Sequence, residues 1–151
     1  MLETIESVDQ ELGKEMPSLN HSYICSQIMR QLLQDDTIQP LPELTLAVEN
    51  GLTPDISVFP KEQIRPNFFE DVLKVERLPA LAIEVISSSQ SIQSILEKAK
   101  LLVQSGVKTM WIVEPYGRSI FVVDQAGKQL FHEEPVTSEG IRVDFAKVFR
   151  S

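Results

Sequence analysis

A chain of 151 residues, 42% of them hydrophobic, is long enough to bury one continuous core, and it carries no internal repeat or low-complexity tract of the kind that builds solenoids. One cysteine, Cys25, excludes an internal disulfide and, without His or Cys at ligand spacing, is not expected to form a zinc site; the longest apolar runs are too short for a transmembrane helix, so one cytoplasmic domain over residues 1–151 is expected. A net charge of −8 opposes binding to a polyanion, so any nucleic-acid role needs a local basic patch.

Residues 1–16 have scattered acids and no apolar stretch of the signal-peptide kind, and are expected to form a peripheral arm. The acids gather there, at residues 3–15, and again at residues 133–139; Lys74, Arg77, Lys98, Lys100 and Lys108 are the candidates for a basic patch. From residue 19 to 34, Ile24, Cys25, Ile28, Met29, Leu32 and Leu33 recur at helical spacing, with Ser18 or Asn20 as the cap. Asp35, Asp36, Pro40 and Pro42 end that helix. Leu44, Leu46 and Val48 then alternate as in a half-buried strand, and Asn50-Gly51 signals a hairpin leading to a second strand over residues 54–59. Residues 60–79 look irregular. The segment 80–86 is apolar on both faces except at Glu84, the pattern of a central strand covered by helices. A serine run at 87–91 supplies caps for a helix with Ile92, Ile95, Leu96, Ala99, Leu102 and Val103 on one face, which Gly106 stops. Residues 109–113 form another buried strand, 119–124 and 129–132 a hairpin, and 141–143 a last strand before a short helix at 145–149. The order predicts a mixed α/β domain with one parallel crossover between residues 80 and 113.

An ionised carboxylate inside an apolar strand is costly unless it is paired or binds a metal. Two readings therefore fit Glu84: a strand end that reaches solvent or an ion pair, and a functional acid at the rim of a sheet. Asp55, directly after Pro54 at the start of the preceding strand, strengthens the second reading. Alone it is also an ordinary strand-entry cap. Two carboxylates from neighbouring strands make the oxygen-rich site that Mg²⁺ or Mn²⁺ prefers.

The segments Pro54-Asp55-Ile56-Ser57-Val58, Leu81-Ala82-Ile83-Glu84-Val85-Ile86-Ser87, Glu97-Lys98 ahead of Gly106-Val107, and Trp111-Ile112-Val113-Glu114-Pro115 follow one another at compatible spacing. In that order they resemble the Uma-two family of restriction-endonuclease-like proteins. The resemblance covers most of the chain and implies the α/β fold of the PD-(D/E)xK nucleases, a mixed central sheet flanked by helices. It implies a Mg²⁺- or Mn²⁺-dependent endonuclease that hydrolyses DNA phosphodiesters. Asp55 matches the family's first acid, Glu84 its second and Lys98 its helix lysine; Asp55, Glu84 and the Val85 carbonyl would hold the metal and Lys98 would assist the attacking water. Three positions depart from the pattern. Ile86 stands where most such nucleases have lysine, Ser88 replaces a usual proline, and Met110 stands where an aromatic residue often precedes the tryptophan.

Periodicity leaves Lys98 and Lys100 on opposite flanks of the apolar stripe and does not choose between them; the resemblance chooses Lys98. His21 and His132, without partner spacing, read as surface or capping residues, Trp111 as core, Glu43 and Glu49 as solvated acids, and Glu114 as solvent-facing or capping the turn at Pro115. Leu101, opposite the core stripe of its helix, suggests a homodimer able to cut both strands. The rival reading is an inactive protein that keeps the nuclease fold as an interaction module, which the acidic charge favours.

Overall fold

Ser18 accepts a hydrogen bond from His21 N at 3.1 Å and so caps helix α1, Leu19–Leu32, whose Ile24, Ile28 and Leu32 are buried. Each such aliphatic side chain contributes about 1.5–3 kcal/mol when fully buried, which gives this helix its stability in place of intrinsic propensity. The computed structural model describes residues 18–150. The expected arm over residues 1–16 and the acidic run at 3–15 lie outside the described residues.

Six strands form the main sheet: β1 Ile38–Pro42, β2 Ile56–Pro60, β3 Leu81–Val85, β4 Thr109–Glu114, β5 Ser119–Asp124 and β6 Gly127–His132, side by side in that order. Only β3 and β4 are parallel, Glu84 lying opposite Ile112, and the crossover between them is helix α2, Ile92–Ser105. Ser91 caps α2 by accepting from Ser94 N at 3.1 Å. Gly106 ends it at φ 124°, where an added Cβ would also lie 3.0 Å from Leu78 Cδ1. The anticipated parallel crossover and the hairpin of β5 and β6 are both present.

The expected strand over Leu44, Leu46 and Val48 is not. The chain enters the sheet earlier, at β1, despite Pro40 and Pro42. Because β1 is the outermost strand, the missing proline N–H groups cost less than they would in the middle of a sheet. Glu43 and Glu49, both left-handed at φ 49° and 52°, then turn the chain out of the sheet on either side of Leu46. Leu46 and Val48 are nevertheless buried, and single bridges from Leu46 to Leu52 and Val75 hold the loop. Asn50-Gly51 turns the chain, with Gly51 at φ 113°, but joins no pair of regular strands. The sequence also gave no sign of β7, Pro135–Ser138, which pairs with β8, Ile141–Asp144, as a separate two-stranded sheet. Helix α3, Phe145–Val148, follows it.

Alternation along the strands sorts the core into two layers. Ile56, Val58, Leu81, Ile83, Val85, Trp111 and Val113 face α1 and the β7–β8 unit, whereas Phe59, Ala82, Met110 and Ile112 face α2. Trp111 is fully buried, its ring edge-on to Phe145 at 5.7 Å, and its Nε1–H donates to Ser138 Oγ at 2.8 Å. Gln31 of α1 accepts from Asp144 N at 2.8 Å and donates to Asp144 O at 3.0 Å, a two-point clamp to the C-terminal unit. By the same alternation Glu84 points to the α2 side.

Candidate active site at the end of the sheet

Where β2 begins and β3 ends, side chains from both layers meet. Asp55 precedes β2, and its Oδ2 accepts the Val85 N–H at 2.7 Å, bridging the two strands just beyond their last regular pairing. The same oxygen accepts from His21 Nε2 at 3.0 Å, so α1 reaches the site from the other face of the sheet. Glu84, 3% exposed and one residue from the end of β3, lies beside the Asp55 carboxyl. Lys98, half-buried on α2, places its ammonium against Glu84 Oε2 and also donates to the Thr53 carbonyl at 3.2 Å. Lys98 follows the apolar flank of α2 with its stem and keeps its head at the rim. Lys100 is exposed on the other flank.

The structure therefore brings Asp55, Glu84, Val85 and Lys98 together. It adds His21, which the sequence reading set aside as a surface or capping residue. The available signal was its i,i+4 spacing to Cys25 on the border of the α1 stripe. Glu43 and Glu49 are exposed. Glu114 caps its turn by accepting from Tyr116 N at 2.7 Å and Gly117 N at 2.6 Å.

Burial pushes the Glu84 carboxyl up to about 8; the Lys98 ammonium pulls against this, and the Asp55 charge and hydrogen bond add to it. Burial also opposes ionisation of Asp55. There the hydrogen bonds from His21, Glu84 and the Val85 N–H, together with the charge of His21, outweigh it and hold the carboxyl below its ordinary value. One acid is thus kept ionised and its neighbour protonated near neutrality, the arrangement two adjacent carboxyls adopt when no further cation is present. Burial raises the Cys25 thiol well above its usual range, and the charges of Asp55, Glu84 and Glu43 raise it further.

The donors fit a hard divalent ion. Two carboxylates meet at one point, with the Val85 backbone beside them. Burial, with the Asp55 charge beside it, raises the Glu84 carboxyl despite Lys98, and a bound cation would lower it.

One solved structure shows the same architecture. A crystal structure described as "a putative nuclease belonging to DUF820", from Anabaena variabilis, superposes with a TM-score of 0.75 at 20% identity, over 88% of this chain and 82% of that one. A chain of the cryo-EM structure of a DrdV–DNA complex aligns over 85% of this chain and 10% of its own length, with a TM-score of 0.42 and 9% identity. No curated protein sequence matches the chain. The first likeness defines the class, a mixed α/β fold shared with that structure. Residues 2–148 match the family Uma2, "Putative restriction endonuclease", and the chain belongs to that family. Among the described residues no helix is long and apolar enough to cross a membrane.

Proposed function

We propose that the protein is a metal-dependent endonuclease that hydrolyses phosphodiester bonds of DNA, with Asp55, Glu84 and the Val85 carbonyl holding Mg²⁺ or Mn²⁺. The observation that carries this reading is the convergence of Asp55, Glu84 and Lys98 at one sheet end, from three elements far apart in sequence. A divalent ion bound there supplies a water of lowered pKa and offsets charge on the phosphoryl oxygens. The chain's own groups do the rest. Val85 N–H and His21 fix the Asp55 carboxylate in orientation and charge. Lys98, anchored by Glu84 and the Thr53 carbonyl, keeps an ammonium beside the acids, where it orients a water and shifts a proton to or from it. The stem of Lys74 packs near Gly51, on the loop that leads to Thr53, and adds positive charge at this edge of an acidic protein.

Titration calorimetry with Mn²⁺ should show one site that Glu84→Ala abolishes, alongside cleavage of single-stranded, double-stranded or structured DNA. An isotherm unchanged in Glu84→Ala would sink the assignment. The net charge of −8 favours a second reading, an inactive nuclease fold serving as an interaction module, and metal binding without cleavage of any of the three substrates would select it.

Cutting both strands of a duplex needs two such sites, and a second copy of the chain would supply one. Leu101 is only 37% exposed, whereas Phe68 and Phe69, at 94% and 99%, stand out with Val72 and Leu73 from the segment between β2 and β3. The two rings alone offer on the order of 300–500 Å², a large part of the ~800 Å² per partner in a standard interface. Glu70 and Asp71 between them disfavour nucleic acid as the occupant. Sedimentation should give a dimer at micromolar concentration that Phe69→Asp converts to monomer; a wild-type monomer would rule this out.

A further inference from the structure

We propose that His21, Cys25 and Asp55 form a second metal position, one that takes a borderline divalent ion of the Zn²⁺ class beside the hard-ion position and shares Asp55 with it. His21 and Cys25 lie one turn apart on α1 and point the same way, toward Asp55. One ligand atom from each of the three residues lies within 4.8 Å of the other two, and all three side chains are half-buried. Bonds of about 2.0–2.3 Å to nitrogen, sulfur and oxygen in a tetrahedral site put ligand atoms roughly 3.3–3.8 Å apart, so the closure required is small. His21 Nε2 and Asp55 Oδ2, at 3.0 Å, are already at that spacing or inside it.

The donor set decides the class of ion. Imidazole and thiolate with one carboxylate suit Zn²⁺ or Co²⁺, whereas Mg²⁺ takes oxygen. Three protein ligands leave a fourth position for water, as in open zinc sites. His21 Nδ1 is buried without a hydrogen-bond partner among the described residues, while Nε2 is held by Asp55.

Sharing Asp55 makes the two positions antagonists. An ion on the α1 side draws that carboxylate away from Glu84, so Zn²⁺ would inhibit what Mg²⁺ or Mn²⁺ supports. Only this antagonism rests on the nuclease reading; the site itself does not.

Co²⁺ titrated into the full chain tests it spectroscopically. One equivalent should give the near-ultraviolet thiolate-to-cobalt charge-transfer band. Cys25→Ser should remove the band and weaken binding at least about tenfold. Glu84→Gln should keep the band while losing Mn²⁺ binding, which separates this site from the hard-ion one. Because Cys25 is the single cysteine of the chain, Zn²⁺ should also protect the wild-type protein from a thiol reagent, with no substitution needed. A Co²⁺ spectrum without the band, or alkylation unaffected by Zn²⁺, would overturn the proposal even if Mn²⁺ binds at Glu84 as expected.

Discussion

Lys98→Ala should lower DNA cleavage by about 10²–10⁴-fold, while Lys100→Ala leaves it unchanged. The two lysines are neighbours in sequence on the same helix, yet only Lys98 touches Glu84; Lys100 faces solvent on the opposite flank of the stripe. Both variants should melt close to the wild type at neutral pH. Removing one partner of a buried ion pair ordinarily costs several kcal/mol, because the other charge is left uncompensated. Glu84 escapes this cost because burial and Asp55 raise its pKa to about 8, so near neutrality it already holds a proton and loss of the ammonium leaves no bare charge. Steady-state kinetics should place the Lys98→Ala loss in kcat, with KM little affected, if the lysine acts on the reacting water as proposed. Loss of cleavage in Lys100→Ala alone would mean that the helix is assigned half a turn out of register.

The metal-free protein should lose stability as pH rises from about 5 to about 8, and Glu84→Gln should abolish that slope. Glu84 has its ordinary value of 4.5 when unfolded and about 8 when folded. Across that window the native state holds a proton that the unfolded chain has released. The stabilisation is complete below the unfolded value and disappears as pH passes through the folded one. Asp55 has the opposite sign, and its stabilisation is lost only as pH falls below its ordinary 3.8, outside the window. For a chain of this size the fall in Tm should be on the order of 5–10 °C. Saturating Mn²⁺ should restore it, by binding only the native form and supplying the missing positive charge. A slope that persists unchanged in Glu84→Gln would show that other groups produce it.

What could be read from the sequence followed what is local. The buried strand around Glu84, the caps Ser18 and Ser91, the stop at Gly106 and the crossover from β3 to β4 all leave periodic or capping signals within a few residues. The β1 strand did not, because its prolines read as breakers unless one knows that it lies at the sheet edge, a property of strand order. Strand β7 was hidden by Glu133, Glu134 and Pro135, which look like a solvated loop until β8 pairs with it. Of the site, Asp55 and Glu84 drew attention as acids in apolar surroundings, and Lys98 needed the family pattern to separate it from Lys100. His21 was missed because nothing in its neighbourhood announces a carboxylate 34 positions later in the chain, and only the packing of α1 on the sheet brings the two together.

That assembly from distant parts has a consequence during synthesis. Glu84 and Lys98 meet only after α2 has crossed back over the sheet, and α2 lies against β4 and β5, which emerge from the ribosome after it. The Gln31–Asp144 clamp ties α1 to a strand that is made later still. Contacts of such long sequence separation form late in folding. A nascent or truncated chain would therefore hold Asp55, Glu84 and Lys98 without the geometry that joins them, and that geometry is completed only when nearly the whole polypeptide has been made.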